Sequence, residues 1–238
     1  RDLHSFPTRR SSDLGVRCGI MDQFASALGR ADEAILLDCH THEVTGVPLA
    51  PDAFEIVIID SMKRRGLVDS AYNERRESCE AGLAELCRLA GEDYPSLRHV
   101  PADVFDMHGA TLPENVRRRV RHNIGENARV LRFAESARAG DWSTAGRLLV
   151  ESHASLRDDF EVSCAELDAI VEIAAGVEGV LGCRMTGAGF GGCAVAMVAP
   201  DAVAAFTARM RAEYPARCGM EPVIYVTRAE PGAGICKG

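Results

Sequence analysis

The 238-residue sequence predicts an α+β fold, an antiparallel sheet covered by helices. Three observations carry this. Residues 184–193 (RMTGAGFGGC) hold four glycines and lie between the apolar runs 180–183 and 194–198, which reads as strand–loop–strand. Residues 54–60 (FEIVIID) contain four consecutive β-branched apolar residues, the pattern of a strand buried on both faces. The remaining chain is mostly helical in period, and its order is helices, strand–loop–strand, helix, strand.

Residues 1–14 (RDLHSFPTRRSSDL) lack periodicity and have no apolar core of a secretory signal. They read as the translation of a sequencing-library adaptor fused to a truncated gene, outside the fold, with a natural chain that begins before Gly15. Ile20, Phe24, Ala27 and Leu28 then recur at helical spacing, with Gly29 as the stop. Asp22 falls in the first turn, where the helix dipole favours its charge. Such a carboxylate can accept a hydroxyl proton; an aspartate that only caps its helix is the competing reading.

Residues 34–38 and 44–49 read as a strand pair joined by His40, Thr41, His42 and Glu43. The break at 50–53 divides the chain into 15–53, the end of one domain, and 54–238, a second domain. The strands within 34–60 are expected to lack some partners and to expose a sheet edge. Asp69 or Ser70 is the predicted cap of a helix with a Leu83, Leu86, Cys87, Ala90 stripe ending at Gly91. Tyr72 lies at its start, and a tyrosine there also serves simply to pack its ring. Residues 92–109 read as a connection. Thr111 to Glu114 is a capping-box pattern before a helix with the stripe Val116, Val120, Ile124, Ala128 and Leu131. Its run Arg117, Arg118, Arg119 and Arg121 is expected on a solvated face. After Gly140 and Asp141 a helix runs through Leu148, Leu149 and Ser152. Ser163 and Glu166 are a second capping-box pattern, with Leu167, Ile170, Val171 and Ala174 inward and Gly176 at the end. Residues 201–214 form a helix with Val203, Phe206 and Met210 on one face, and residues 222–227 a last strand.

A net charge of −8 argues against nucleic acid or an anionic membrane surface as partner, and no run reaches the ~20 apolar residues of a membrane span. Nine scattered cysteines, never spaced Cys-x-x-Cys, suit reduced, mostly buried thiols in a cytoplasmic protein. His40 and His42 belong to an exposed turn rather than a metal pair, so no metal ligands are assigned. The glycine-rich loop is either a concave set of amides for an anion or a tight hairpin whose glycines only turn the chain.

Three stretches change these alternatives. Residues 18–23 (CGIMDQ) resemble the segment bearing the catalytic aspartate of galactokinases. Residues 151–168 (ESHASLRDDFEVSCAELD) are similar to a helix–turn–helix signature of the same enzymes. Residues 184–192 resemble the third motif of the wider GHMP small-molecule kinase superfamily. The middle stretch is the specific one, since eighteen residues of mixed type are not a chance match.

The resemblance runs from Gly15 to about Cys236. It implies a GHMP kinase fold: a remnant of the N-terminal α/β domain followed by a complete C-terminal domain. It implies a monomer that phosphorylates the anomeric hydroxyl of galactose with ATP. Asp22 matches the general base, Gly19 and Tyr72 match sugar contacts, and Gly187, Ala188 and Gly189 match the loop where sugar meets phosphate. Mg²⁺ is implied too, with its ligands expected in a missing N-terminal part, and the fragment is expected to be inactive alone. Ala188 stands where the family often has glycine, so a negative φ is required there. Neither Arg17 nor Lys63 matches the arginine that relatives place beside the aspartate. A non-catalytic galactose- and ATP-binding sensor on the same fold is the alternative; a kinase for another small alcohol is disfavoured by residues 151–168.

Overall fold

The computed structural model describes residues 20–64 and 68–234, with side chains at 68–70 and at Tyr72 outside the description. The adaptor-like segment and Gly19 therefore lie outside the described residues. A short helix α1 (Met21–Leu28) ends at Gly29 and leads into a hairpin of β1 (Glu33–Leu37) and β2 (Val44–Pro48). Then come β3 (Glu55–Asp60), α2 (Val68–Ala90), α3 (Ala102–His108), α4 (Glu114–Arg138), α5 (Trp142–Asp158) and α6 (Ala165–Ala175). The chain finishes with β4 (Val180–Met185), β5 (Cys193–Val198), α7 (Val203–Cys218) and β6 (Val223–Thr227).

Four strands form one antiparallel sheet in the order β4-β5-β3-β6. β3 is therefore an interior strand with a neighbour on each side, not an edge. The exposed edge is β6, where Val223, Tyr225 and Val226 face outward. β3 is also less symmetric than its apolar run implies. Val57 and Ile59 are fully buried, whereas Ile56 and Ile58 are half-buried. The first pair joins the main core with Leu167, Ile170 and Ile173 of α6 and Phe206, Met210 and Tyr214 of α7. The other face meets α5 through a smaller cluster of Phe54, Ala145 and Met197.

Helix α5 approaches β4 very closely. A Cβ on Gly146 would collide with the carbonyl of Leu181, and one on Gly182 with the carbonyl of Gly146. Two glycines facing each other let helix and strand backbones touch, which fixes their relative register.

Several local expectations are corrected. Helix α2 already contains Val68, so Asp69 and Ser70 lie inside it rather than capping it. The connection at 92–109 holds a 3₁₀ turn, Leu97–His99, and α3, which is too short to show a period in sequence. Neither capping box forms. Pro113 is the N-cap of α4, and the Thr111 hydroxyl donates to the His108 carbonyl instead. Cys164 is the N-cap of α6; the Ser163 hydroxyl donates to Asp168, and Glu166 pairs with the distant Lys63. In α4 the stripe holds at Val116, Val120 and Ile124, but Ala128 and Leu131 are exposed. Further along, Ala134 and Ala137 are buried against Val47 of β2, a neighbour on a different side of the helix. Of the seven described cysteines, only Cys183 is buried, with its thiol pushed up to about 12 by desolvation; most of the others are half-buried.

Gly146→Ala is expected to destabilise the chain by at least about 1–3 kcal/mol, the usual range for overpacking. The urea midpoint should fall with an unchanged m-value; an unchanged midpoint would show that the two backbones are not in contact.

Candidate functional site

The glycine-rich loop closes the β4–β5 hairpin and is held at its base and on both sides. At the base, Thr186 N–H donates to the Cys193 carbonyl at 2.9 Å. On one side, Ser61 N–H donates to the Gly192 carbonyl at 3.0 Å, and Gly192 N–H donates to the Lys63 carbonyl at 3.2 Å. The segment after β3 is in turn anchored by Tyr214, whose buried hydroxyl donates to the Ser61 carbonyl at 2.7 Å. On the other side, Phe190 N–H donates to the Val162 carbonyl at 2.7 Å. A Cβ on residue 189 would collide with that same carbonyl, and φ there is +83°, so only glycine fits.

These bonds leave the crest of the loop unused. Among the described residues, the amides of Gly187, Ala188 and Gly189 meet no protein acceptor. Gly187 is exposed, Ala188 half-buried and Gly189 buried. Ala188 keeps a negative φ between Gly187 at +76° and Gly189 at +83°, so its methyl costs no backbone strain. Successive free N–H donors in such a turn suit an anionic or hydroxyl oxygen.

The shelf at residues 158–162 is fixed by arginines. Arg75, on α2, donates to the carbonyls of Phe160 at 2.7 Å and Glu161 at 3.1 Å. Arg119 is buried and donates to the Asp159 carbonyl and the Glu161 carboxylate. Arg118 pairs with Glu161 at 2.6 Å and Arg121 with Asp159 at 2.6 Å. Arg118, Arg119 and Arg121 of the basic run are thus a clamp on the α5–α6 connection rather than a solvated face, whereas Arg117 pairs with Glu114 on its own helix. Beneath it, His122 stacks on Phe160 with ring centroids 4.6 Å apart and shares a 3.0 Å hydrogen bond with the Ser155 hydroxyl. Burial holds the His122 imidazole down at about 4, despite the nearby Glu126 and Asp159 carboxylates.

A second polar group lies behind β4. Arg184 bonds the Glu126 carboxylate at 3.1 Å, which also takes bonds from Arg129 and the Ser152 hydroxyl. His153 stands between Met185 and Asp168. Single-residue reasoning missed both groups. The available signal was in residues 151–168, where Ser152, His153, Ser163 and Asp168 are polar without forming an exposed helix face.

This arrangement has known counterparts. Residues 133–216 match the family described as GHMP kinases C terminal. The chain carries a GHMP kinase C-terminal domain. It is homologous to galactokinases. It is 41% identical over 220 residues to the galactokinase of Clostridium beijerinckii, covering 92% of this chain and 56% of that protein. It is 44% identical over 224 residues to that of Clostridium acetobutylicum, covering 94% and 57%. The chain thus spans about half the length of the curated relatives it matches. Among solved structures, Lactococcus lactis galactokinase complexed with galactose superposes with a TM-score of 0.87 at 39% identity, over 94% of this chain and 57% of that one. Mevalonate kinase of L. major, in complex with R-mevalonate, shares the fold at a TM-score of 0.54 and 19% identity, over 84% and 50%.

In this GHMP kinase homologue the predicted site residues are unevenly described. Asp22 is exposed in the first turn of α1, whose N-cap is Ile20. It forms no hydrogen bond or ion pair with another described residue, to the glycine-rich loop or elsewhere, and it does not cap its helix. Its helix rests on the hairpin through Phe24 against His42, and on the C-terminal tail through Ala233 N–H to the Ser26 carbonyl. Gly19 and the Tyr72 side chain lie outside the described residues; Tyr72 belongs to the first turns of α2. Lys63 is occupied by Glu166 at 2.8 Å. No cluster of three or more His, Cys, Asp or Glu able to hold a metal occurs among the described residues. None of the described helices is long and apolar enough to cross a membrane.

The His122 environment predicts a pH dependence. Its folded value lies below the ordinary ~6.5, so the unfolded chain takes up a proton between about 6.5 and 4 that the folded chain refuses. Stability should therefore fall on acidification through that window by up to about 1.4 kcal/mol per pH unit, and not above it. His122→Gln should lessen that slope in urea titrations compared across pH, with buried His153 keeping its own share; an identical slope in the variant would assign it to other groups.

Proposed function

We propose that the whole protein to which this chain corresponds is a galactokinase, transferring the γ-phosphoryl group of ATP to the anomeric hydroxyl of galactose to give galactose 1-phosphate and ADP. The observation that carries this is the row of free amides at Gly187, Ala188 and Gly189, set on the motif that resembles galactokinases. The 39% identity to a galactose-bound galactokinase over most of this chain supports it. Residues 15–53 are then the end of the preceding domain, and residues 54–238 belong to the C-terminal domain. The protein is read as a cytoplasmic monomer acting on small molecules, without nucleic-acid or membrane partners.

In this reading the exposed Asp22 carboxylate takes the proton of the sugar hydroxyl as its oxygen attacks the γ-phosphorus, and the bond to the ADP oxygen breaks. Gly19 and Tyr72 orient the sugar. The loop amides take phosphate oxygens, and their worth is mainly alignment and charge neutralisation, which dominate phosphoryl transfer. The free donors fit the phosphate part of ATP. No group of three or more His, Cys, Asp or Glu able to hold a metal occurs among the described residues, and no step here is derived through Mg²⁺.

Because the chain spans about half of its relatives, it is expected to show no ATP-dependent galactose phosphorylation alone. Residues 15–238 joined behind the N-terminal part of the Clostridium acetobutylicum relative should restore it. In that chimera, Asp22→Asn should lower kcat by about 10²–10⁴-fold with galactose binding retained. Turnover close to the parent's would remove Asp22 from the base role. Binding of galactose and ATP with no transfer by the parent chimera would favour the sensor.

A further inference from the structure

We infer that His153 is a positioning residue for the glycine-rich loop, acting as a neutral imidazole that accepts the Met185 amide on Nδ1 and donates from Nε2 to Asp168. The relevance of this latch to catalysis rests on the phosphate-loop reading above; the latch itself does not. β4 is an edge strand, and in an antiparallel ladder alternate amides of an edge strand point away from the partner. Thr186 donates inward to Cys193, so the amide one residue earlier points outward. Met185 N–H is that amide, and it meets His153 Nδ1 at 3.3 Å.

The partner arrives there through the glycine contact between α5 and β4. His153 is seven residues after Gly146, about 10.5 Å along a helix. Met185 is three residues after Gly182, about 10 Å along a strand. A helix and a strand that touch at 146 and 182 therefore meet again at 153 and 185. The far side of the ring is equally determined. His153 Nε2 lies 3.1 Å from Asp168 Oδ1, which also accepts the Ser163 hydroxyl at 2.6 Å.

A backbone N–H cannot be accepted by a protonated nitrogen, so the bond to Met185 exists only while Nδ1 is bare. With Nε2 facing a carboxylate, one tautomer satisfies both partners. The charged groups around the ring are Asp168 on α6, Arg157 and Asp158 on α5 and Arg184 on β4. Burial outweighs the Asp168 carboxylate and holds the imidazole below its ordinary value, which keeps Nδ1 free at neutral pH. Met185 is followed immediately by Thr186 and the free amides of 187–189, so the latch fixes the strand end from which they project.

The test uses the 238-residue chain and needs no turnover. Nitrogen NMR of His153 should show Nδ1 unprotonated and Nε2 protonated at pH 7, and hydrogen exchange should show Met185 protected. His153→Asn places an acceptor near the Nδ1 position and should retain that protection. His153→Gln reaches toward Asp168 but lacks that acceptor. It should speed exchange at Met185 by about tenfold, the counterpart of one net hydrogen bond, and shift the amide signals of 187–189. Protection of Ile58 in the sheet interior should not change. A proton on Nδ1, or unchanged Met185 exchange and loop signals in His153→Gln, overturns the inference. If His153→Gln does not fold, the tautomer in the parent and protection in His153→Asn decide it. A failed phosphotransfer assay would leave these measurements untouched, and a failed latch would leave the assignment of Asp22 untouched.

Discussion

The carbonyl of Val162 is the point on which the candidate site depends. It accepts the Phe190 amide and occupies the space a side chain at residue 189 would need. One oxygen thereby excludes every residue but glycine at one position and fixes the path of the backbone at the next. Its own location is imposed by Arg75, Arg118, Arg119 and Arg121, which grip the carbonyls and carboxylates at 158–161 from two helices. Guanidinium groups suit this task because several rigid donors can serve several oxygens at once.

The same logic extends through the fold. The sheet places β5 between β3 and β4, so the loop at one end of β5 is reached from both sides. The segment after β3 holds it through Ser61 and Lys63, and Tyr214 of α7 holds that segment. Behind β4, α5 lies so near that two glycines replace a layer of side chains. The glycine-rich loop is fastened on one side to the segment after β3 and on the other to the α5–α6 connection. At its crest, the amides of Gly187, Ala188 and Gly189 meet no acceptor among the described residues.

The strands of the sheet were legible in the sequence as short apolar runs around a glycine-dense turn, and the inward faces of α6 and α7 as repeated periods. Leu167, Ile170 and Ala174 announce themselves by spacing, whereas β3 was visible as an apolar run that did not tell Val57 and Ile59 from Ile56 and Ile58. Expectations failed where a residue had a better partner far away in sequence. Glu166 matches the end of a capping box, but Lys63, about a hundred residues earlier, claims it. The arginines of α4 match a solvated face, but the turn at 158–161 is brought against them from some forty residues away. The stripe of α4 turned after Ile124 because the helix changes neighbour from α2 to β2. Of the candidate site, the loop and Asp22 were visible as motifs; His153 and Asp168 were inside a recognised stretch, but their pairing needed the fold.

Phe190 shows what such fastening does for a visiting ligand. It is not glycine, yet its φ is +60°, a conformation costing an L-residue roughly 1–2 kcal/mol. Its ring packs against the main core, and that contact holds the turn in a shape the free peptide would leave. The unfavourable geometry is therefore met during folding, before any guest arrives. Association then need not freeze the loop, which would otherwise take about 1–2 kcal/mol of backbone entropy for each residue ordered.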